Sequence, residues 1–204
     1  MSQTNMWEIE EGFFDKGIKL IAGVAEAGRG PLAGPVCAAA VILPPAVDIP
    51  GLNDSKKLSD KQRRTLMPII KEKALAYAIA FATEAEIDEV NILQATFLAM
   101  QRAVSQLSVK PELLLIDGNR KCDFGIDAET VVHGDSLSAN IAAASVLAKV
   151  TRDDYMLEQA EKYPQYGFEV HKGYGTKAHY AALETHGHCS IHRLTFLKKF
   201  YGTK

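Results

Sequence analysis

Long apolar runs are absent from this chain: no stretch of its 204 residues approaches the length of a bilayer span. The first residues, MSQTNMWEIEEGFF, are acidic where a secretory leader would be basic and then apolar. Both features predict a soluble, cytoplasmic protein with no membrane partner. Cysteine is scarce as well. Cys37, Cys122 and Cys189 are an odd number without metal-ligand spacing, which fits reduced thiols and implies neither a disulfide framework nor a zinc site. Internal repeats and low-complexity linkers are missing, and 47% apolar residues are enough for one substantial core. A strong excess of positive charge is missing too, since the formal net charge is −2, so bulk attraction to nucleic acid is not available.

What charge there is lies unevenly. Residues 51–73 hold seven lysines and arginines against three acids, and residues 170–204 hold six against Glu184 alone. Two basic segments on an otherwise acidic chain are the footprint expected of a protein that meets a phosphate backbone, because lysine and arginine displace the counterions condensed there. A solvated helix face is the plainer account of charge alone. Of the histidines in the second segment, His186, His188 and His192 read as surface residues.

Strand and helix patterns alternate along the chain. Residues 18–24 and 36–43 read as strands on either side of a glycine-rich loop. Ser59 with Gln62, and Thr83 with Glu86, are capping boxes that open helices, the first running to about residue 73 with a kink at Pro68. Between them, residues 74–82 alternate Leu75, Tyr77, Ile79 and Phe81 with alanines, the period of a strand with one bulky face. An apolar stripe marks a helix over 91–107. A strand over 112–116 delivers Asp117, another over 129–133 leads to Asp135, and a helix runs from about Ser138 to Tyr163. Small residues at 142–145 would let that last helix pack close to a sheet. Two short helical patterns, after Thr176 and after Ser190, complete the tail. The class is α/β, with a main domain over 1–165 and a small helical C-terminal subdomain over 166–204.

The stretch IAGVAEAGRGPLAGPV, residues 21–36, carries glycine at 28, 30 and 34, which admits positive φ and leaves main-chain N–H groups open to a sugar-phosphate. Glu26, Asp117 and Asp135 each sit where a strand ends or a helix begins. Clustered oxygen ligands suit Mg²⁺ or Mn²⁺, and a pair of such ions can activate water and stabilise a leaving oxygen at a phosphate. Spacing alone does not show that the three acids converge. Asp153 and Asp154 lie roughly 27 Å along a continuous helix from Asp135 and are not expected to join them.

The chain resembles the type 2 ribonucleases H, and within them the bacterial ribonuclease HII group. The resemblance rests on GVAEAGRGPLAGPV, LNDSKKLSDKQR, EIDEVNILQAT, LLIDGNR, VHGDSLSANIAAASVLAKVTRDDYM and YPQYGFEVHKGYGT, in that order. It implies a ribonuclease H-like mixed β-sheet flanked by helices. It also implies two-metal cleavage, with Mg²⁺ or Mn²⁺, of RNA in RNA–DNA hybrids and on the 5′ side of ribonucleotides embedded in duplex DNA. By the same resemblance, residue 25, Glu26, Asp117 and Asp135 hold the metal. Gly28, Arg29 and Gly30 sense the ribose 2′-hydroxyl, Tyr174 lies against the sugar at the RNA–DNA junction, and Asn53, Ser55, Lys56, His171 and Lys172 line the substrate groove. The expected roles are ribonucleotide removal and primer clearance in replication and repair, by a monomer. A replication clamp is a candidate partner through Phe196, Leu197, Phe200 and Tyr201, although core packing accounts for those side chains equally simply.

One position departs from the pattern. The family reads GVDEAGRG where this chain has GVAEAGRG, so Ala25 stands where the first metal-binding aspartate belongs and offers no oxygen. The sequence therefore reads as an enzyme inactivated by an engineered Asp-to-Ala change at 25. The rival reading is a naturally non-catalytic protein that binds RNA–DNA junctions.

Overall fold

The computed structural model describes residues 5–202. Its elements run α1 (Glu8–Phe14), β1 (Ile21–Ala27), β2 (Val36–Ile42), α2 (Asp60–Lys73), β3 (Ala76–Ala82), α3 (Glu84–Ser105), β4 (Leu113–Asp117), β5 (Ala128–Val131), α4 (Ala139–Lys162), α5 (Phe168–His171), α6 (Lys177–His186) and α7 (Leu194–Leu197). The five strands form one mixed sheet in the order β3-β2-β1-β4-β5, antiparallel from β3 to β1 and parallel from β1 to β5. This is the ribonuclease H-like mixed sheet flanked by helices.

Alternation along the strands divides the core between two faces. Ile21, Ala25, Cys37, Ala39 and Leu115 pack towards α4 and α2, whereas Ala22, Val24, Ala38, Leu114 and Ile116 pack towards α3. A third cluster, around Met156, Tyr166, Phe168, Leu183 and Leu197, joins the end of α4 to the C-terminal helices. Within it Leu197 is buried, while Tyr201 stays exposed.

Both capping boxes form, with Ser59 and Thr83 accepting from the amides of Gln62 and Glu86. Helix α2 runs unbroken through Pro68. The ring costs one main-chain hydrogen bond, and the buried side chains of Leu66 and Ile70 hold the helix on either side of it. The break falls instead at Asn91 of α3, whose φ of 70° is left-handed and whose Oδ1 accepts from the Leu93 and Gln94 amides, restarting the helix. Strand β1 is displaced from the 18–24 expected, and its three later residues place Glu26 in the sheet. In β3 the alanines are the face buried against α3, and Tyr77 lies at the surface. There α3 approaches the strand closely, and methyl groups fill the gap.

Candidate active site

The parallel pair β1 and β4 brings the acids together. The last registered pair is Val24 with Ile116, so residue 25 and Asp117 follow side by side on the sheet face that carries α4. A turn of 3-10 helix over Gly134–Ser136, just before α4, supplies Asp135. The Gly134 amide donates to Asp117 Oδ1 at 3.0 Å, which ties that turn to the strand end.

Glu26, Gly28, Arg29, Gly30, Asp117 and Tyr174 surround a cavity of about 230 Å³, which Ser55, Lys56 and Lys149 help to close. Burial, followed by the charges of Asp135 and Glu26, pushes the Asp117 carboxyl up to about 6, with Lys56 opposing them. Burial also raises the carboxyl of Glu26, although Arg29 lies 3.4 Å from its Oε1. The Lys56 Nζ donates to Asp135 Oδ2 at 3.0 Å. Partial burial works against that ammonium, yet Asp135 and Asp117 hold it above the usual lysine range. The carboxylates thus crowd one another at the strand ends, with Arg29 and Lys56 each paired to one of them.

That crowding, and a donor set made only of carboxylate oxygens, fits a hard divalent cation in chemistry. It does not fit one in completeness. Among the described residues no three His, Cys, Asp or Glu side chains are grouped closely enough to hold a metal ion. Residue 25 is fully buried beside Asp117 and is alanine, while Lys56 takes up one oxygen of Asp135.

Other sequence candidates fall outside the cavity. Asn53 lines a separate hollow with Lys57 and Ser136, and its Oδ1 accepts from the Asp54 amide. His171 is occupied internally. Its Nδ1 accepts from the Gly173 amide, so its Nε2 carries the proton and donates to the Tyr166 carbonyl at 2.8 Å. Lys172 gives its Nζ to the Glu169 carbonyl. Asp153 pairs with Lys149 and Asp154 with Arg64.

The glycines act differently from the expectation. Gly28 and Gly34 have positive φ, and the space that a Cβ would need is filled by Arg152 under Gly28, and by Met156 and Arg152 under Gly34. Of these three, Gly30 alone has room for a Cβ, which would touch Tyr174 Cε1 at 3.6 Å in ordinary contact. Sequence reading missed this arginine, and Arg193 with it. An arginine in the middle of an otherwise apolar helix face, as in AKVTRDDYM, was the available signal.

His192 corrects the surface reading, being 3% exposed. Its Nδ1 accepts from the Cys189 amide at 3.0 Å, so its Nε2 must donate to His179 Nε2, 3.0 Å away. His179 then carries its proton on Nδ1 and donates to the Tyr174 carbonyl at 2.9 Å. Neither ring has room for a second proton. Burial, helped by the neighbouring His179, lowers His192 to about 4, and burial lowers His179 too. An unfolded chain protonates His192 below about 6.5 while the folded one resists until about 4, so stability falls as pH drops through that window, and the lowered His179 acts in the same direction. Asp117 works in the opposite sense, because its raised carboxyl binds a proton more tightly in the fold. The histidine effect is isolated by difference: thermal melts of His192→Gln should show a shallower loss between pH 6.5 and 4 than the unaltered chain, by on the order of 2 kcal/mol. Equal slopes would refute the locked pair.

Residues 22–199 match the family model described as ribonuclease HII. A ribonuclease HII of Endomicrobium trichonymphae is 59% identical over 194 residues, covering 95% of this chain and 92% of that protein. Among solved structures, the ribonuclease H2 of Pyrococcus horikoshii OT3 superposes with a TM-score of 0.71 at 24% identity, covering 91% of this chain and 100% of that one. Bst-RNase HIII in complex with Mn²⁺ gives 0.58 at 17% identity, over 83% of this chain and 63% of that one.

Proposed function

This chain belongs to the ribonuclease HII family, and we propose that its parent enzyme is an endonuclease that cleaves RNA in RNA–DNA hybrids and cuts on the 5′ side of ribonucleotides embedded in duplex DNA. The observation that carries this reading is that residue 25 and Asp117 each directly follow the last registered pair of the parallel strands, Val24 with Ile116, and that Asp117 lines a cavity together with Glu26 and the glycine loop. Restored to aspartate, residue 25 would complete a carboxylate set with Glu26, Asp117 and Asp135 for Mg²⁺ or Mn²⁺. Such ions, when bound, supply an activated water and stabilise the leaving oxygen. We read Ala25 as an engineered, inactivating substitution that leaves Glu26, Asp117 and Asp135 as an incomplete site.

The remaining work falls to the chain's own residues. Arg29, Lys56 and Lys149 present positive charge to a phosphate entering the cavity and fix its register without reading bases. The loop amides and the ring of Tyr174, which is 44% exposed, face the sugar. A 2′-hydroxyl both donates and accepts, so a loop offering N–H groups beside an aromatic ring distinguishes ribose from deoxyribose. A titration tests the substrate class. Duplex DNA with one ribonucleotide should bind this chain more tightly than the same duplex without it, and Tyr174→Ala should reduce the preference by about tenfold. Equal binding of the two duplexes by the unaltered chain would sink the assignment.

A further inference from the structure

Two buried arginines, neither with a salt-bridge partner among the described residues, lie beneath the glycine loop. Arg193 is wholly buried, and its guanidinium donates to the carbonyls of Gly34 at 2.8 Å, Arg29 at 2.9 Å and Gly28 at 2.6 Å. Arg152, 1% exposed, donates to Pro35 at 2.9 Å, Ala33 at 3.0 Å and Lys172 at 3.1 Å. Five of these six acceptors belong to residues 28–35, and the sixth precedes the Gly173-Tyr174 turn. Main-chain bonds close the same junction: Arg193 N donates to Leu32 O at 2.9 Å, and Leu32 N to Gly173 O at 2.8 Å.

The orientation of the loop's peptides follows from these bonds. No peptide bond here is cis, so a carbonyl drawn inward turns the N–H of the next residue outward. Arg193 takes the carbonyls of Gly28 and Arg29, and the amides of Arg29 and Gly30 consequently point away from it. Both residues line the cavity beside Tyr174. Neither amide finds an acceptor among the described residues. Two adjacent free donors beside an exposed ring are what a hydroxyl ligand requires, and a freely rotating loop would not present them together.

We propose that Arg193, with Arg152 supporting it, is a positioning residue that sets ribonucleotide selectivity by fixing the peptide planes of Gly28-Arg29-Gly30. The planar fork is essential to this role, because lysine carries the same charge but cannot hold adjacent carbonyls at fixed angles. Phe196 braces the fork, its ring centroid lying 5.1 Å from the Arg193 guanidinium carbon. The inference rests on the reading of the cavity as a ribose-sensing site, and the experiment separates failure of one from failure of the other.

Affinities of the unaltered chain and of Arg193→Lys are measured for a DNA duplex with one ribonucleotide and for its all-DNA counterpart, with circular dichroism to verify folding. The unaltered chain should prefer the ribonucleotide. Arg193→Lys should lose about tenfold of that preference while its all-DNA affinity stays within about twofold. If the unaltered chain shows no preference, the ribose-sensing reading itself fails. If it does, an unchanged preference in Arg193→Lys overturns the positioning role. A proportional loss for both duplexes overturns it too, by reducing the arginine to general support of the fold. Should Arg193→Lys not fold, Phe196→Leu loosens the same guanidinium without removing it, and must lower the same ratio; an unchanged ratio there counts against the proposal.

Discussion

Ala25→Asp is expected to raise cleavage of a ribonucleotide-containing duplex in Mg²⁺ by on the order of 10³-fold, the equivalent of about 4 kcal/mol of barrier. Position 25 is fully buried in the core next to Asp117, where burial and two neighbouring acids already push that carboxyl up to about 6. A further carboxylate there is unfavourable unless a cation joins it. Activity and stability should therefore change in opposite directions. Without divalent ions the Ala25→Asp protein should melt below the unaltered chain, and Mg²⁺ should raise its melting temperature by more than it raises that of the chain with alanine. Products with 3′-hydroxyl and 5′-phosphate ends on the 5′ side of the ribonucleotide would complete the assignment. An Ala25→Asp protein that folds and cuts no faster than its parent would leave the naturally non-catalytic reading in place.

Sequence reading was most successful where the deciding interactions are local. The capping boxes at Ser59 and Thr83 involve residues three apart, and both form. Ser138 caps α4 as expected, with its side chain accepting from the Ile141 amide. Glu26 and Asp117 were legible from strand ends in combination with the family motifs, and both line the cavity.

What was not legible depends on partners far away in the chain. Arg152 reaches carbonyls 117 and 119 residues distant, and Arg193 reaches across 159 to 165. Nothing in a single sequence marks an arginine as a ligand for carbonyls rather than for carboxylates. The same holds for His192, which is buried through edge-on and tilted contacts with Tyr166, Phe168 and His179. Of the three loop glycines read as admitting positive φ, Gly28 and Gly34 adopt it and Gly30 does not, and the reason for the vacant space was misread. Arg152 and Met156 fill it from below, leaving ligand approach to the Gly30 side.

Gly23→Ala is expected to destabilise the fold by about 3 kcal/mol, more than most single methyl additions, because the obstruction is backbone. Gly23 lies in the central strand, and a Cβ there would fall inside the van der Waals envelope of the Asn140 carbonyl carbon and the Ile141 amide, and 2.5 Å from the Asn140 carbonyl oxygen. The first turn of α4 has little freedom to retreat. Buried Glu10 accepts from Ser138 Oγ at 2.6 Å and from Asn140 Nδ2 at 3.0 Å, and Asn140 Oδ1 accepts from the Leu43 amide at 2.7 Å. This clamp links α1, the end of β2 and α4, and it directly follows the turn that carries Asp135. Gly12→Ala provides the control. A Cβ there meets nothing within 4 Å, and replacing a helical glycine by alanine should stabilise by about 0.5–1 kcal/mol. Urea unfolding of both variants should move the midpoint in opposite directions. A Gly23→Ala midpoint equal to that of the parent would mean that α4 does not approach β1 closely enough to require glycine.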